Sequence, residues 1–204
     1  MATARPDLGP DYWETRYREG RTGWERGVPT PAFVRLLESS RAPRPGRMAV
    51  PGCGRGHDAL LFATAGHQVH GIDVAPTAVA DALAMADRAG VTDRATFEVG
   101  NVLDIGRRYP HSFDYVLERA CFCALDPSVR DGYVASIALA LRPGGRLIGS
   151  FFVGTPAGGP PFAAPWEDIM ASLAPWFDVE EQDDARAEGL MSGTDPFAIL
   201  RRKT

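Results

Sequence analysis

The chain alternates short apolar segments with amphipathic segments, and this order constrains the fold more than any other feature. The apolar segments that suit buried strands are RMAV, HQVHGIDV, ATFEVGNVLD, SFDYVLER and RLIGSFFV, and a terminal strand is predicted in DPFAILRRKT. Between most of them lie segments whose apolar residues recur at helical spacing, and a further such segment, WEDIMASLAPWF, follows the fifth strand. The segment VEEQDDARAEG is polar. The alternation predicts a doubly wound, mostly parallel α/β sheet with helices on both faces.

A glycine-rich turn follows the first predicted strand. In VPGCGRGHDA, the glycines alternate at Gly52, Gly54 and Gly56, and Asp58 lies at the start of the next helix. Such a turn can hold a dinucleotide, a nucleotide phosphate or an adenosyl group. The dinucleotide pattern GxGxxG spaces its third glycine differently, and an acidic residue beside a diphosphate is unfavourable. The turn therefore favours a ligand that approaches the backbone closely without a phosphate.

Polar residues follow the next two predicted strands at matching positions. Asp73 ends the strand in GIDV, where an acidic side chain can accept hydrogen bonds from both ribose hydroxyls. Asn101 and Asp104 lie in the loop after the third strand, near the expected place of an adenine ring. Since ligands of doubly wound sheets bind beyond the carboxyl ends of the strands, the three features together favour an adenosyl ligand. The alternative is a set of ordinary turn glycines with a surface aspartate.

Composition and charge limit the classes of molecule that this protein is expected to bind. The chain has 204 residues, of which 45% are apolar, and this suits a single domain with a buried core. Its net charge of −4 and its lack of a basic run argue against nucleic acid as a partner. The sequence has no apolar run long enough to span a bilayer and no signal-peptide core, so we expect a cytoplasmic protein without membrane contact.

The three cysteines are Cys53, Cys121 and Cys123. An odd number of cysteines without an export signal makes structural disulfides a poor interpretation. The CxC pair raises the alternative of a metal site, but the four histidines are scattered and none has a supporting spacing. We therefore expect small buried thiols and no metal.

As a set, VPGCGRGHDA, GIDV, GNVLD and LRPGGRLIG resemble the motifs of class I S-adenosylmethionine-dependent methyltransferases. The resemblance implies a seven-stranded Rossmann-like sheet and S-adenosylmethionine as the cofactor. It implies one domain over residues 1–204, with a lid segment at about 10–40 and the core at 45–204. Matched position by position, the residues that it assigns to cofactor binding are Gly52, Cys53, Gly54, Asp73, Val74, Asn101, Val102 and Glu118.

A narrower resemblance extends outside the core. The stretches YWETRYREGRTGWERGVPTP, VPGCGRGHD, FDYVLERACFCALDP and GGPPF, in this order, resemble the thiopurine methyltransferase superfamily, and within it the halide/thiol methyltransferases. The resemblance places Trp13, Tyr17 and Trp24 over the cofactor. Aromatic faces attract a sulfonium cation, and a closed lid excludes water. The alternative is that these aromatics only fasten a terminal helix onto the core.

The acceptor side is assigned to the end of the fourth strand. Glu118 and Arg119 stand where relatives carry an Asp-Arg pair, and the resemblance gives both a catalytic position. Arg119 would attract an anionic acceptor and favour a thiolate; the alternative is an arginine paired with Glu118 or another acid. Phe122, Phe152 and Phe162 are assigned to an apolar wall around the acceptor, although each also suits the core.

The resemblance implies methyl transfer by in-line displacement to a small soft nucleophile, namely a thiol, bisulfide, a thiopurine-like thiol or a halide. Such nucleophiles need alignment but no general base, and His57, beside the glycine turn, is interpreted as structural. Two alternatives stay open: a small-molecule O- or N-methyltransferase, and a cofactor-binding protein without turnover. We expect a monomer with a small-molecule acceptor. The segment around Arg186 departs from the relatives.

Overall fold

The computed structural model describes residues 8–155, 158–183 and 195–204, and within them the helices alternate with strands as predicted. Two short 3₁₀ turns, Val102–Asp104 and Pro127–Val129, precede α5 and α7. The helices in chain order are α1 (Pro10–Arg18), α2 (Pro31–Glu38), α3 (His57–Thr64), α4 (Pro76–Arg88), α5 (Ile105–Arg108), α6 (Cys121–Ala124), α7 (Arg130–Ala140) and α8 (Trp166–Leu173).

The strands form one sheet in the order β3-β2-β1-β4-β5-β7-β6. The first five strands are parallel, while β7 is antiparallel to both β5 and β6. This topology confirms the predicted doubly wound, mostly parallel sheet of seven strands. The strands are β1 (Arg47–Pro51), β2 (Gln68–Asp73), β3 (Ala95–Val99), β4 (Phe113–Arg119), β5 (Leu141–Ser150), β6 (Phe177–Asp183) and β7 (Phe197–Arg202).

Helices cover both faces of the sheet, because the buried parallel strands carry apolar side chains on each side. On one face, α5, α7 and α8 contribute Ile105, Ile137 and Leu173 to a core cluster. On the other face, α2 and α3 contribute Phe33 and Phe62 to a second cluster, together with residues of α4. The sheet is therefore packed on both faces, and this packing holds the ends of its strands in place. We call these strand ends the platform.

The carboxyl ends of the parallel strands meet at one edge of this platform. β1 ends at Pro51, β2 at Asp73 and β4 at Arg119. Since β7 runs antiparallel, its first residue, Phe197, pairs with Ser150 at the end of β5. The residues that precede β7 therefore lie at the same edge as the ends of the parallel strands.

The C-terminal part differs from the sequence expectation. The segment predicted only as polar begins with a strand, β6, which pairs with β7 and forms the edge of the sheet. An edge strand has one open side, so the polar side chains of Glu180 and Gln182 are compatible with it. Residues 184–194, including Arg186, lie outside the described residues.

Within the described ranges, no helix is both long and apolar enough to cross a membrane. The same residues contain no group of three or more histidine, cysteine or acidic side chains placed to hold a metal ion. Cys53, Cys121 and Cys123 are free thiols, the last two buried.

Candidate functional site

A cavity of about 730 Å³ lies along the carboxyl edge of the sheet, beneath the N-terminal segment. Its volume is within the range of ordinary ligand sites. It brings together most of the residues that the sequence nominates for cofactor and acceptor: Trp13, Tyr17, Trp24, Gly52, Cys53, Gly54, Asp73, Val74, Asn101, Val102, Arg119 and Phe152.

The glycine turn forms the floor of this cavity. Gly52 and Gly54 have φ angles of +62° and +53°, a region that residues with a Cβ adopt rarely. A Cβ on Gly52 would lie 3.0 Å from the Cβ of Cys121, and a Cβ on Gly54 would lie 2.9 Å from the Tyr17 hydroxyl. Both the backbone conformation and the closeness of Cys121 and Tyr17 therefore require glycine at these two positions.

Asp73 ends β2 directly beside the turn. One carboxylate oxygen accepts a hydrogen bond from the Gly54 amide at 2.9 Å, and the other accepts one from the Ala75 amide at 2.9 Å. The side chain is 6% exposed, and burial raises its pKa while these backbone donors lower it. Because each carboxylate oxygen has two acceptor sites, the fixed carboxylate can still accept further donors from the cavity.

The third strand end supplies a short polar loop. Asn101 caps the 3₁₀ turn, since its side-chain oxygen accepts a hydrogen bond from the Leu103 amide at 3.0 Å. The loop also carries Val102 and Leu103 into the cavity wall. This arrangement gives an apolar surface beside an exposed amide, which suits the flat face and polar edge of a heteroaromatic ring.

The N-terminal aromatics form a cluster above the turn, which we call the aromatic lid: Trp13, Tyr17 and Trp24. The rings of Trp13 and Trp24 meet edge-to-face at 5.5 Å, and those of Tyr17 and Trp24 at 5.7 Å. The Trp24 indole donates a hydrogen bond of 3.3 Å to the Tyr17 hydroxyl. All three rings pack on one another and line the cavity.

Polar contacts fasten the lid segment to the core. The Glu14 carboxylate accepts hydrogen bonds from the amide and hydroxyl of Thr77 at the start of α4, at 2.9 and 2.6 Å. These bonds lower the pKa of Glu14. On the other side, the Asp58 carboxylate accepts bonds of 2.6 and 2.9 Å from the amide and hydroxyl of Thr30. The acid at the start of α3 therefore holds the end of the lid segment.

Arg119 stands between the lid and the rest of the cavity. Its guanidinium donates a hydrogen bond of 3.0 Å to the backbone oxygen of Trp24. The neighbouring Glu118 carboxylate is instead held by the Phe122 amide and the Tyr133 hydroxyl. Phe152 lies on the same side of the cavity. The arginine is thus oriented by the lid and keeps donors available for a ligand.

Glu118 lies beneath the cavity and does not line it. It is 1% exposed, and its carboxylate accepts hydrogen bonds from the Phe122 amide at 2.9 Å and from the Tyr133 hydroxyl. Burial raises its pKa to about 7. The alternation of a strand explains this, because Glu118 and Arg119 point to opposite faces.

Two of the predicted wall residues also lie outside the cavity lining. Phe122 is 4% exposed and packs under the Arg130 guanidinium, 4.5 Å from its ring centre. The backbone oxygen of Phe162 accepts a hydrogen bond of 2.5 Å from Arg130. Phe122 and Phe162 are thus joined through Arg130, and of the three predicted phenylalanines Phe152 lines the cavity.

The cavity also contains residues that sequence reasoning missed. Asp195 and Arg26 line it, and Asp195 lies close enough to Arg26 and Arg119 for both charges to act on its carboxyl. Cys121 and Cys123 lie in the cavity wall. In the sequence, Asp195 stands at the start of the terminal segment DPFAILRRKT. The sequence pattern does not reveal that the strand in this segment runs antiparallel, which is what brings Asp195 to the cavity.

Comparison with known proteins agrees with this geometry. Residues 8–195 match the family model of the thiopurine S-methyltransferases. The chain is 33% identical over 166 residues to thiocyanate methyltransferase 1 of Brassica oleracea, which covers 79% of this chain and 72% of that protein. It is 31% identical over 145 residues to the 2-heptyl-1-hydroxyquinolin-4(1H)-one methyltransferase of Mycobacteroides abscessus, covering 68% and 62%.

A solved structure shares the fold. The 1,6-didemethyltoxoflavin-N1-methyltransferase of Burkholderia thailandensis, solved with S-adenosylhomocysteine, superposes with a TM-score of 0.74. The match is 23% identical in sequence and covers 99% of this chain and 93% of that chain.

The cavity fits the cofactor of this family. At Gly54 the aromatic lid lies so close to the main chain that a Cβ would meet the Tyr17 hydroxyl. The fixed Asp73 carboxylate supplies an acceptor for hydroxyls, and the aromatic lid supplies faces for a cation. The chain belongs to the thiopurine S-methyltransferase family, and it is a methyltransferase with S-adenosylmethionine as its cofactor.

Proposed function

We propose that this enzyme methylates the sulfur of a small thiol whose body is apolar or aromatic. The observation that carries the proposal is the position of Arg119, a cation in a cavity wall that also presents the apolar side chains of Leu125, Val129 and Phe152. A guanidinium lowers the energy of a nearby thiolate, and apolar walls favour an organic acceptor over a hydrated ion. Relatives that act on thiocyanate and thiopurines support this class of acceptor.

The chemistry supplied by bound S-adenosylmethionine is a methyl group on a positively charged sulfur, which is already activated for displacement. The protein therefore has to align the nucleophile and exclude water. We assign the orientation of the donor to Gly52, Gly54 and Asp73. We assign the exclusion of water to the aromatic lid, and the placing of the acceptor to Arg119.

The test of the proposed function is a screen of acceptors with purified enzyme and S-adenosylmethionine. The acceptors are an alkyl thiol, an aromatic thiol, a thiopurine, bisulfide, iodide, thiocyanate, a catechol and an amine. Production of S-adenosylhomocysteine and of the methylated acceptor is measured by mass spectrometry. We expect the organic thiols to have the highest kcat/KM. Turnover of the catechol or amine alone would contradict the proposal.

Arg119→Ala is expected to lower kcat/KM for thiol acceptors about 10- to 30-fold, because one charge-assisted contact to the acceptor is lost. The affinity for S-adenosylhomocysteine, measured by calorimetry, should change less than about threefold by the same reasoning. The matched control is Arg107→Ala, since Arg107 is 76% exposed and does not line the cavity. Equal kinetics of the two variants would place Arg119 in the scaffold.

Trp24→Ala tests the lid. Cation–π contacts are worth about 0.5–2 kcal/mol, so we expect the Kd of S-adenosylmethionine to rise about 10-fold. The uncharged product S-adenosylhomocysteine lacks the sulfonium, and its Kd should rise less. Trp176→Ala is the control, because Trp176 is 41% exposed and lies outside the cavity. Equal losses for both ligands would mean that Trp24 acts only by packing.

We further propose that the protein works as a cytoplasmic monomer on free small molecules. The free thiols of Cys53, Cys121 and Cys123 suit a reducing compartment, and the net charge of −4 disfavours a nucleic-acid partner. Sedimentation or size-exclusion chromatography with light scattering measures the oligomeric state, and a stable dimer at micromolar concentration would contradict it.

A further inference from the structure

Asp195 lies at the acceptor side of the cavity. It lies two residues before the start of β7, and β7 begins opposite Ser150 at the carboxyl end of β5. Asp195, Ser150, Phe152 and Arg119 all line the cavity. The antiparallel strand thus brings an acid from the C-terminal region to the place where the acceptor must enter.

One carboxylate oxygen of Asp195 makes no hydrogen bond within the described part of the chain. This oxygen, Oδ1, is shielded from solvent. Buried carboxylate oxygens are nearly always hydrogen-bonded, so this oxygen is available for a donor that enters with a ligand. Partial burial raises the pKa of Asp195, although the positive charges of Arg119 and Arg26 act against the rise.

The other acids that line the cavity are engaged within the fold, and they are Glu25, Asp58, Asp73 and Asp126. Asp126 accepts hydrogen bonds from the amide and the hydroxyl of Ser128. Asp73 accepts hydrogen bonds from two backbone amides, and Asp58 accepts two from Thr30. Glu25 is paired with Arg55. Within the described part of the chain, none of these acids has a shielded oxygen without a partner, whereas Asp195 has one. Asp195 is therefore suited to contact the acceptor.

A carboxylate at this place discriminates between acceptors by their protons. A bare anion such as iodide meets the negative charge of Asp195 and gains nothing from its free oxygen. A neutral thiol or hydroxyl compound donates a hydrogen bond to that oxygen, and it can release its proton there during attack. Arg119 can stabilise the charge that develops on the nucleophile as the proton leaves.

We propose that Asp195 is the proton acceptor for a methyl acceptor that enters the cavity as a neutral thiol. The inference deepens the proposed function and rests on it. The S–H bond of the thiol breaks, its proton moves to Asp195, and its electron pair forms the new bond to the methyl carbon. The bond from that carbon to the donor sulfur breaks and leaves its pair on the sulfur. Asp195 then returns the proton to solvent.

The first test compares Asp195→Asn with the wild-type enzyme on acceptors that differ in their protons at pH 7. With an alkyl thiol, which is mostly protonated, kcat/KM should fall about 10- to 100-fold. With iodide, which has no proton, kcat/KM should stay equal or rise, because a repulsive charge is removed. The control is Asp93→Asn, since Asp93 is 72% exposed and outside the cavity. Equal losses on both acceptors, or no loss on the thiol, would overturn the assignment.

A second test does not depend on turnover. 4-Nitrothiophenol changes its absorbance on ionisation, so its protonation can be followed while it is bound to the complex with S-adenosylhomocysteine. In Asp195→Asn, the pKa of the bound probe should fall by about one unit. A negative charge near the thiolate is removed, while the positive charges of Arg119 and Arg26 remain. An unchanged value in Asp195→Asn overturns the inference. If the wild-type enzyme binds the probe but methylates no thiol, the proposed function is refuted. The pKa of the bound probe then still tests whether Asp195 lies beside the acceptor.

Discussion

The Asp73→Ala variant is expected to bind S-adenosylmethionine about 100-fold more weakly than the wild-type protein, which corresponds to about 2.7 kcal/mol. Asp73 holds the amides of Gly54 and Ala75 at 2.9 Å, so its loss leaves the glycine turn without its anchor. Hydrogen bonds to charged groups are worth about 1.5–3 kcal/mol each. The variant also loses the carboxylate that we assign to the ribose. Isothermal titration calorimetry measures the effect.

Two further variants separate these contributions. Asp73→Asn keeps one side-chain oxygen and can retain one of the two backbone contacts, so its loss of affinity should be intermediate. Asp87→Ala is the control, because Asp87 is exposed on α4, the helix that follows Asp73 in the chain, and lies outside the cavity. Wild-type affinity in Asp73→Ala, with an unchanged melting temperature, would refute the ribose assignment.

Glu118→Ala is expected to lower the free energy of unfolding by about 2–6 kcal/mol, since two buried donors lose their acceptor at about 1–3 kcal/mol each. The carboxylate is 1% exposed, and its removal leaves the Phe122 amide and the Tyr133 hydroxyl without their acceptor. It also leaves a space between β4 and α7. Urea unfolding measures the change, and Glu38→Ala on the exposed end of α2 serves as the control. A loss below about 1 kcal/mol would contradict the structural role.

The same side chain gives a pH dependence with a definite sign. Burial raises the pKa of Glu118 from 4.5 to about 7, while the Phe122 amide, Tyr133 and Arg130 act against the rise. Since the folded state then holds the proton more tightly than the unfolded state, this contribution to stability is full below pH 4.5. It is lost as the pH rises to 7, by an amount on the order of 3 kcal/mol.

Glu118→Gln isolates this contribution because glutamine cannot ionise. Relative to the wild-type protein, the variant should gain stability on going from pH 5 to pH 7.5, since only the wild-type side chain loses its proton. Urea unfolding at the two pH values measures the difference. An equal difference between the two proteins at both pH values would show that Glu118 does not titrate in this range.

The fold was predictable from residues that are close in sequence. An apolar strand, or a glycine at the end of a helix such as Gly66 after α3 and Gly90 after α4, is recognised from a few adjacent residues. The alternation of strands and helices could therefore be predicted. The edge strand β6 could not be predicted in this way. Its polar side chains indicate an edge strand only when it is known that β7 pairs beside it. A pattern of residues does not state which strand is its neighbour.

The grouping of the residues that we assign to the cofactor was predictable for the same reason. Gly52, Gly54 and Asp73 follow predicted strands directly, and parallel strands bring their carboxyl ends to one edge. The acceptor side was harder, since it depends on side-chain direction and on segments far apart in sequence. Glu118 and Arg119 are neighbours in the chain, yet Arg119 lines the cavity and Glu118 lies beneath it.

The sequence by itself determined the sheet, the glycine turn and the family, because each depends on short patterns that persist in any surroundings. Only the tertiary structure decided which polar groups are already engaged. Asp58 is held by Thr30, Glu118 by Tyr133, and Asp195 keeps a shielded oxygen that no described residue satisfies. The physical reason is that a hydrogen-bond partner is set by proximity in space. Asp58 and Thr30, for example, are 28 residues apart in the sequence, and only the fold brings them together.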